Sequence, residues 1–441
     1  MNADRLTRDQ LVAAFHSYGC ARSRWLVGIE LERHLLSPNG YPVPYHGQRG
    51  VRHLLEGFIA RGWKPYFEDE YPIAAFRDGA SITLEPGSQY ELSTAPFTTA
   101  REAGLQAAQF IAELETVIGD AAITPVALGY TPFARMEDIP WVPKGRYVVM
   151  REYLAKTGSL AHAMMKGTCA TQASYDFADE ADCARKVQLG TLIGPLTTAM
   201  FANSPLSEGR LNGWNSYRGH IWTQTDPRRT GFPESAEHFS FERCVDYLLD
   251  VPMMFFQIDG AWRPAEGRSF RHWMEQGFEG IFPTEADWDL HLTSVFPEVR
   301  VKRLIEVRGA DCVPHELAIA FAAYFRGLFY DDTALDRATE QARAFAAHGT
   351  TAERFETACR DGLAGTIGGR RMSAWAEDLV ELALGALQRL GDGDDATLRP
   401  LVDLIAGGES PAQRVIRAFQ RDGSPGAVAR DNRYSVANHP S

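Results

Sequence analysis

The chain has 441 residues, 45% of them hydrophobic and 23% charged, with a formal net charge of −12. An acidic balance of this size repels nucleic acid and anionic membranes and so excludes electrostatically driven binding to either. No stretch approaches the roughly 20 apolar residues of a membrane span, and Arg5, Arg8 and Asp9 interrupt any apolar run near Met1. A cytoplasmic protein is expected, one whose partners are neither nucleic acid nor membrane.

The elements follow in chain order. Residues 1–22 read as a short amphipathic helix leading into a strand from Trp25 to Leu36. Within it, Gly28-Ile29-Glu30-Leu31-Glu32 sends Ile29 and Leu31 to one face and Glu30 and Glu32 to the other. Adjacent carboxylates repel unless a cation or a basic partner lies between them. Two further strands, Ser81–Glu85 and Gln89–Ser93, flank Pro86-Gly87-Ser88. A three-residue hairpin loop there pairs Glu85 with Gln89, Leu84 with Tyr90 and Thr83 with Glu91. That register collects the apolar residues on one face and Thr83, Glu85, Gln89 and Glu91 on the other.

A helical pattern covers Ala100–Ile118, and Ile123–Leu128 reads as a strand. Lys144 and Arg146 lie in an aromatic and turn-rich segment, Trp141 to Tyr147. A second helical pattern covers Asp182–Phe201. Arg218 follows in Asn215-Ser-Tyr217-Arg218-Gly-His220-Ile-Trp222. An arginine between Tyr and Trp suits a bidentate grip on a carboxylate or phosphate, or packs as a surface side chain on a ring. The strand Val301–Arg308 puts Glu306 and Arg308 on one face. From His315 to Gln420 the chain reads as nearly all helix, and Asp422–Ser441 as a loose tail.

The strands are not separated by regular helices, and one pair is joined by a tight turn. The fold class is therefore α+β, a mostly antiparallel sheet with flanking helices. The expected division is a sheet domain over 1–333, a helical region over 334–421 packed on it, and a flexible tail over 422–441. The six cysteines are scattered without a Cys-x-x-Cys pair, so free thiols are expected rather than a zinc ribbon.

Three acid-lined strands make an oxygen-rich site suited to Mg²⁺ or Mn²⁺; the bland alternative is that they are solvated outer faces. The chain holds no Gly-Lys dipeptide, hence no P-loop, and no Gly-x-Ser-x-Gly elbow.

In this order the clusters resemble the plant-type (proteobacterial and plant) glutamate–cysteine ligases, relatives of the glutamine synthetase fold. The resemblance rests on Gly-Ile-Glu30-Leu-Glu32, Ile82-Thr-Leu-Glu85-Pro-Gly-Ser-Gln89-Tyr-Glu91, Trp141-Val-Pro-Lys144-Gly-Arg146-Tyr, Phe201-Ala-Asn203-Ser-Pro, Tyr217-Arg218-Gly-His220-Ile-Trp222 and Arg303-Leu-Ile-Glu306-Val-Arg308-Gly. It implies a funnel-shaped antiparallel sheet holding ATP, Mg²⁺ (or Mn²⁺) and glutamate. It also implies transfer of the ATP γ-phosphoryl group to the glutamate γ-carboxylate, followed by attack of the cysteine amine to give γ-glutamylcysteine, a precursor of glutathione or ergothioneine. Small-molecule substrates and a monomer or homodimer are the expectation that accompanies this resemblance.

On that reading Glu30, Glu32, Glu85, Glu91 and Glu306 hold metal, with Gln89 a neutral neighbour. Arg308, with Lys144 or Arg146, faces the phosphates. Arg218, beside Tyr217 and Trp222, holds the glutamate carboxylate, and Thr168, Gln172 and Asn203 complete the substrate site. One departure stands out. The family reads Met-Met-Leu-Arg-Thr-Cys-Thr-Val-Gln where this chain has Met164-Met165-Lys166-Gly167-Thr168-Cys169-Ala170-Thr171-Gln172. If this stretch is a strand, Lys166 and Gly167 point to opposite faces and Lys166 cannot replace the missing arginine. A sister carboxylate–amine ligase with a different amine or acid, and a non-catalytic nucleotide-binding relative, are the competing readings.

Overall fold

The computed structural model describes residues 5–236 and 238–436. Its centre, among the described residues, is a nine-stranded sheet. The strands are β1 (Val27–Leu36), β2 (Lys64–Glu68), β3 (Tyr71–Arg77), β4 (Ala80–Leu84), β5 (Tyr90–Ser93), β6 (Thr124–Val126), β7 (Ala170–Tyr175), β8 (Val299–Val301) and β9 (Ile305–Asp311). Their order is β8-β9-β7-β1-β5-β4-β3-β2, with β6 paired to the end of β1. Every pairing is antiparallel. The expected α+β architecture is borne out.

Alternation decides which face is which. Val27, Ile29 and Leu31 are buried on the core side of β1, so Glu30 and Glu32 turn the other way. The core side is covered by the helices Ala100–Ile118 and His315–Tyr330. The first begins at a Thr99/Glu102 capping box. The second is buried almost all round, as its run of Ala, Phe, Ile and Leu requires. Tyr175 on β7 donates its hydroxyl to the Ala322 carbonyl at 2.9 Å, tying the sheet to that helix. The β4–β5 hairpin adopts the expected register: Leu84 faces Tyr90 and Thr83 faces Glu91, and Glu85 N–H donates to the Gln89 carbonyl.

Several expectations are corrected. The run Val301–Arg308 is not one strand: the chain turns over at Lys302–Leu304, where Lys302 N–H donates to the Leu304 carbonyl, and β8 pairs back on β9 with Arg300 opposite Glu306. The helix expected over Asp182–Phe201 is two, Glu180–Leu192 and Gly194–Met200, because Pro195 lacks the N–H a continuous helix would need. The first helix covers only Arg8–Ser17; residues 1–4 lie outside the described residues. Lys166 and Gly167 end a helix, Ala161–Gly167, rather than sitting in a strand, and β7 starts only at Ala170.

The expected loose tail is also ordered in part. A helix spans Pro425–Asp431. Val428 and Ala429 pack with Leu36, Val126 and Leu128, and Tyr434 N–H donates to the Pro125 carbonyl at 2.7 Å. The apolar trio Ala427-Val428-Ala429 inside a polar stretch is the cause. Residues 437–441 lie outside the described residues. None of the helices among the described residues is long and apolar enough to cross a membrane.

Candidate active site

Opposite the core face, the sheet forms the floor of a cavity. Glu30, Glu32, Glu85, Gln89, Glu91, Gln172 and Arg308 come from the sheet and its hairpin. Arg146, Thr168, Arg218 and Trp222 close it from surrounding segments. Strand register brings these side chains together: Glu32 lies opposite Glu91 across β1–β5, and Glu30 opposite Gln172 across β1–β7.

The carboxylates occupy one half. Glu32 accepts from Ala170 N–H at 2.8 Å and from the Gln172 amide at 2.9 Å. Glu91 accepts from the Thr83 hydroxyl at 2.9 Å. Burial, then mutual repulsion, pushes these acids up: Glu32 to about 8, with Glu85 and Glu91 adding to the burial, Glu91 to about 7 with Glu85, and Glu30 to about 7 with Glu306 and Glu91. Close acidic oxygens that resist ionising together are what a hard divalent cation relieves. Among the described residues no three His, Cys, Asp or Glu side chains close into a metal-sized cluster as they stand. The donors fit Mg²⁺ by type, and they share one cavity.

Cations occupy the other half. Arg308 donates to Gln172 Oε1 and to Glu306. Arg300 and Lys302 also line the cavity, two site residues that sequence reasoning misses. A signal exists: Arg300 and Lys302 alternate with Val299 and Val301, but a strand begun at Val301 leaves Arg300 out. Glu306 belongs with these cations. Arg300 grips it with Nε at 2.7 Å and Nη2 at 2.9 Å, and Lys302 lies 3.6 Å away. Burial alone would raise its carboxyl, but Arg300, Arg308 and Lys302 hold it well below the usual range. Guanidinium groups engage both oxygens of Glu306, so any metal held by this residue would have to share it with Arg300 and Arg308. Glu306 faces an adjoining recess with Glu30 and Lys302 rather than the main cavity.

Arg218 sits at the start of the helix Tyr217–Thr223. Its Nη2 donates to the Arg308 carbonyl at 2.9 Å and its Nη1 lies 3.9 Å from Asp311 Oδ1. Asp311 is itself fixed by Asn203 N–H, Ser204 Oγ and Ser216 Oγ at 2.7–2.8 Å. Trp222 lines the cavity with its indole N–H unpartnered among the described residues; so does Arg146, through Nε.

Other expected site residues stand behind the cavity wall. Asn203 spends its side-chain amide on the Ala127 and Cys312 carbonyls, at 2.7 and 2.8 Å, gives its backbone N–H to Asp311 and does not line the cavity. Lys144 donates to the Leu84 carbonyl at 2.7 Å, as Tyr147 does at 2.8 Å, fixing the strand end just before Glu85. Burial lowers Lys144 to about 8. Tyr217 packs edge-on against Tyr130, ring centres 5.0 Å apart, outside the lining. Gln89 lines the cavity, but its amide bridges the Met165 and Thr168 carbonyls at 3.0 Å. Thr168 lines it while donating to Met164. Lys166 is turned away, donating to the Met136 and Ile139 carbonyls. Any side chain at Gly167 would run into the Tyr130 ring.

Known proteins resemble this chain over nearly its whole length. Residues 26–431 match the family model described as glutamate-cysteine ligase family 2. The chloroplastic glutamate–cysteine ligase of Brassica juncea is 36% identical over 432 residues, which is 94% of this chain and 81% of the relative. That of Nicotiana tabacum is 35% identical over 95% of this chain and 80% of the relative. A crystal structure of a glutamate–cysteine ligase from Francisella tularensis in complex with AMP shares the fold, with a TM-score of 0.57 over 92% of this chain and 87% of that one at 12% identity.

Proposed function

Because the chain belongs to glutamate-cysteine ligase family 2, we propose that it is an ATP-dependent ligase joining the γ-carboxylate of glutamate to the amino group of cysteine. The observation that carries this reading is the divided cavity, with Glu30, Glu32, Glu85 and Glu91 toward one end, Arg146 beside the last two, and Arg218, Arg300, Lys302 and Arg308 toward the other.

The chemistry asks for both halves. A carboxylate is a poor electrophile and does not condense with an amine at neutral pH. Phosphorylation of the γ-carboxylate by ATP releases ADP and leaves an acyl phosphate. The amine nitrogen then forms the C–N bond as the C–O bond to phosphate breaks, and the nitrogen loses a proton. Phosphoryl transfer is catalysed mainly by position and by neutralising charge on the oxygens. Arg308 and Arg300, steadied by Glu306, and Lys302 face those oxygens, and Arg146 reaches them from the side of Glu85 and Glu91. Arg218, held by Asp311 and the Arg308 carbonyl, is placed to bind the α-carboxylate of glutamate against Trp222. Glu30, Glu32, Glu85 and Glu91 would hold Mg²⁺, which supplies charge neutralisation at the triphosphate.

The test is release of ADP by the purified chain given glutamate, Mg²⁺-ATP and single candidate amines. Cysteine-dependent release is expected; no release with any amine sinks the reading. Gly167, with Tyr130 filling the space beside it, favours one second reading, a sister ligase with another acceptor. Release with a different amine and not with cysteine would select it.

A further inference from the structure

A second cavity, of about 680 Å³, lies on the far side of Trp222, between the helices Tyr217–Thr223 and Thr351–Asp361. That volume is typical of small-molecule sites. Its lining contrasts with that of the first cavity. Trp214, Phe232 and Phe355 supply aromatic walls, the last two meeting edge to face with centres 5.2 Å apart. Among its described lining residues the acidic groups are Glu298 within and Glu356 at the rim, and there is no Lys or Arg. Glu356 is engaged by Arg360 at 3.2 Å. Glu298 is 7% exposed and its Oε2 has no hydrogen-bond partner among the described residues.

A buried acceptor oxygen left without a donor is costly, and native structures rarely keep one without a reason. Arg218 and Arg308 act on Glu298 through space, yet neither reaches Oε2. A carboxylate at the base of an aromatic box, with no cation in the wall, is complementary to an organic ammonium ion: the carboxylate takes the N–H and the ring faces take the positive charge. The same wall repels nucleotides and dicarboxylates, so the two cavities select opposite charge types. Trp222 stands between them, lining both.

We propose that this second cavity binds a small organic ammonium ion bearing an apolar or aromatic group, with its N–H directed to the Glu298 carboxyl group and its body among Trp214, Phe232 and Phe355. The site does not depend on the ligase reading.

The test is calorimetric titration of the full chain with phenethylammonium chloride and, separately, with sodium 3-phenylpropionate, an anion of similar shape. One-site binding of the ammonium and none of the carboxylate is expected. In Glu298→Gln the affinity should fall by about ten-fold or more, the loss expected of one charged hydrogen bond. If that variant fails to fold, Ala352→Trp decides the question: Ala352 is an exposed lining residue at the mouth, and a bulky ring there should block entry. Absence of saturable binding, equal binding of the anion, or unchanged affinity in a folded variant overturns the proposal. So does loss of binding in Glu91→Gln alone, which would put the ammonium in the first cavity.

Discussion

Replacing Glu306 with Gln removes the carboxylate that anchors Arg300, Lys302 and Arg308 in the cationic half of the active-site cavity. In the native chain it takes two donors from Arg300, at 2.7 and 2.9 Å, a contact from Arg308 and the approach of Lys302 to 3.6 Å, while only 1% exposed. Breaking a buried pair from one side usually costs about 3–5 kcal/mol, because the surviving charge stays desolvated. Arg300 and Arg308 border an open cavity and recover some hydration, so the low end applies: a loss of about 3 kcal/mol of stability in urea titrations. The double variant Arg300→Met/Glu306→Gln removes both partners and should be more stable than the sum of the single losses by about 2 kcal/mol. ADP release should fall about 100-fold in Glu306→Gln as Arg308 loses its anchor, with the Mg²⁺ concentration needed for half-maximal rate unchanged. Because the carboxyl is held below its ordinary value, its contribution to stability is present above the normal carboxylate range and is lost as pH falls through the lowered value. Wild-type stability in Glu306→Gln, together with a sharply raised Mg²⁺ requirement, would refute this reasoning and place Glu306 in the metal site.

In chelator, the raised values of Glu32, Glu91 and Glu30, about 8, 7 and 7, mean that the folded chain holds protons the unfolded chain has released. Its melting temperature should therefore decline from about pH 5 to about pH 8.5, and Glu32→Gln should flatten that decline; a flat wild-type profile contradicts the assigned burial. Tyr434→Ala should cost about 3 kcal/mol, since the ring is 1% exposed and covers the Arg33 guanidinium at 4.0 Å; an unchanged urea midpoint would mean that the C-terminal segment does not dock. Gly167→Arg should cost about 1–3 kcal/mol through its clash with the Tyr130 ring, and Tyr130→Ala should relieve it in the double variant; additive losses in thermal melts would discount Tyr130 as the obstacle.

The acidic half of the site is legible in the sequence because strand alternation is a strict rule: once Ile29 and Leu31 are core, Glu30 and Glu32 must face the other way. The hairpin around Pro86-Gly87-Ser88 is legible because a shifted register would bury Glu91. Arg300 escapes because Lys302-Arg303-Leu304 carries no Gly, Pro or Asn to announce a turn. For the same reason Glu306 reads as free of the guanidinium that faces it across β8–β9. Lys144 and Asn203 read as ligands because charge and polarity in a sequence do not say whether a side chain faces a cavity or a backbone carbonyl behind it. The break before Pro195 is visible in principle, and the helical period on either side conceals it.

The uncharged β7 runs between β1, which turns Glu30 and Glu32 to the cavity, and the β8–β9 hairpin, where Arg300, Lys302 and Arg308 outnumber Glu306. The cavity floor therefore carries a lateral electric field, with its negative pole at β1 and β5 and its positive pole at β8 and β9. A guest with an anionic head and a neutral body has one low-energy heading on such a floor and is oriented before any specific contact forms. Swapping a single charge across β7 would weaken that compass, and the resulting loss would appear as guests arriving back to front rather than as guests failing to arrive.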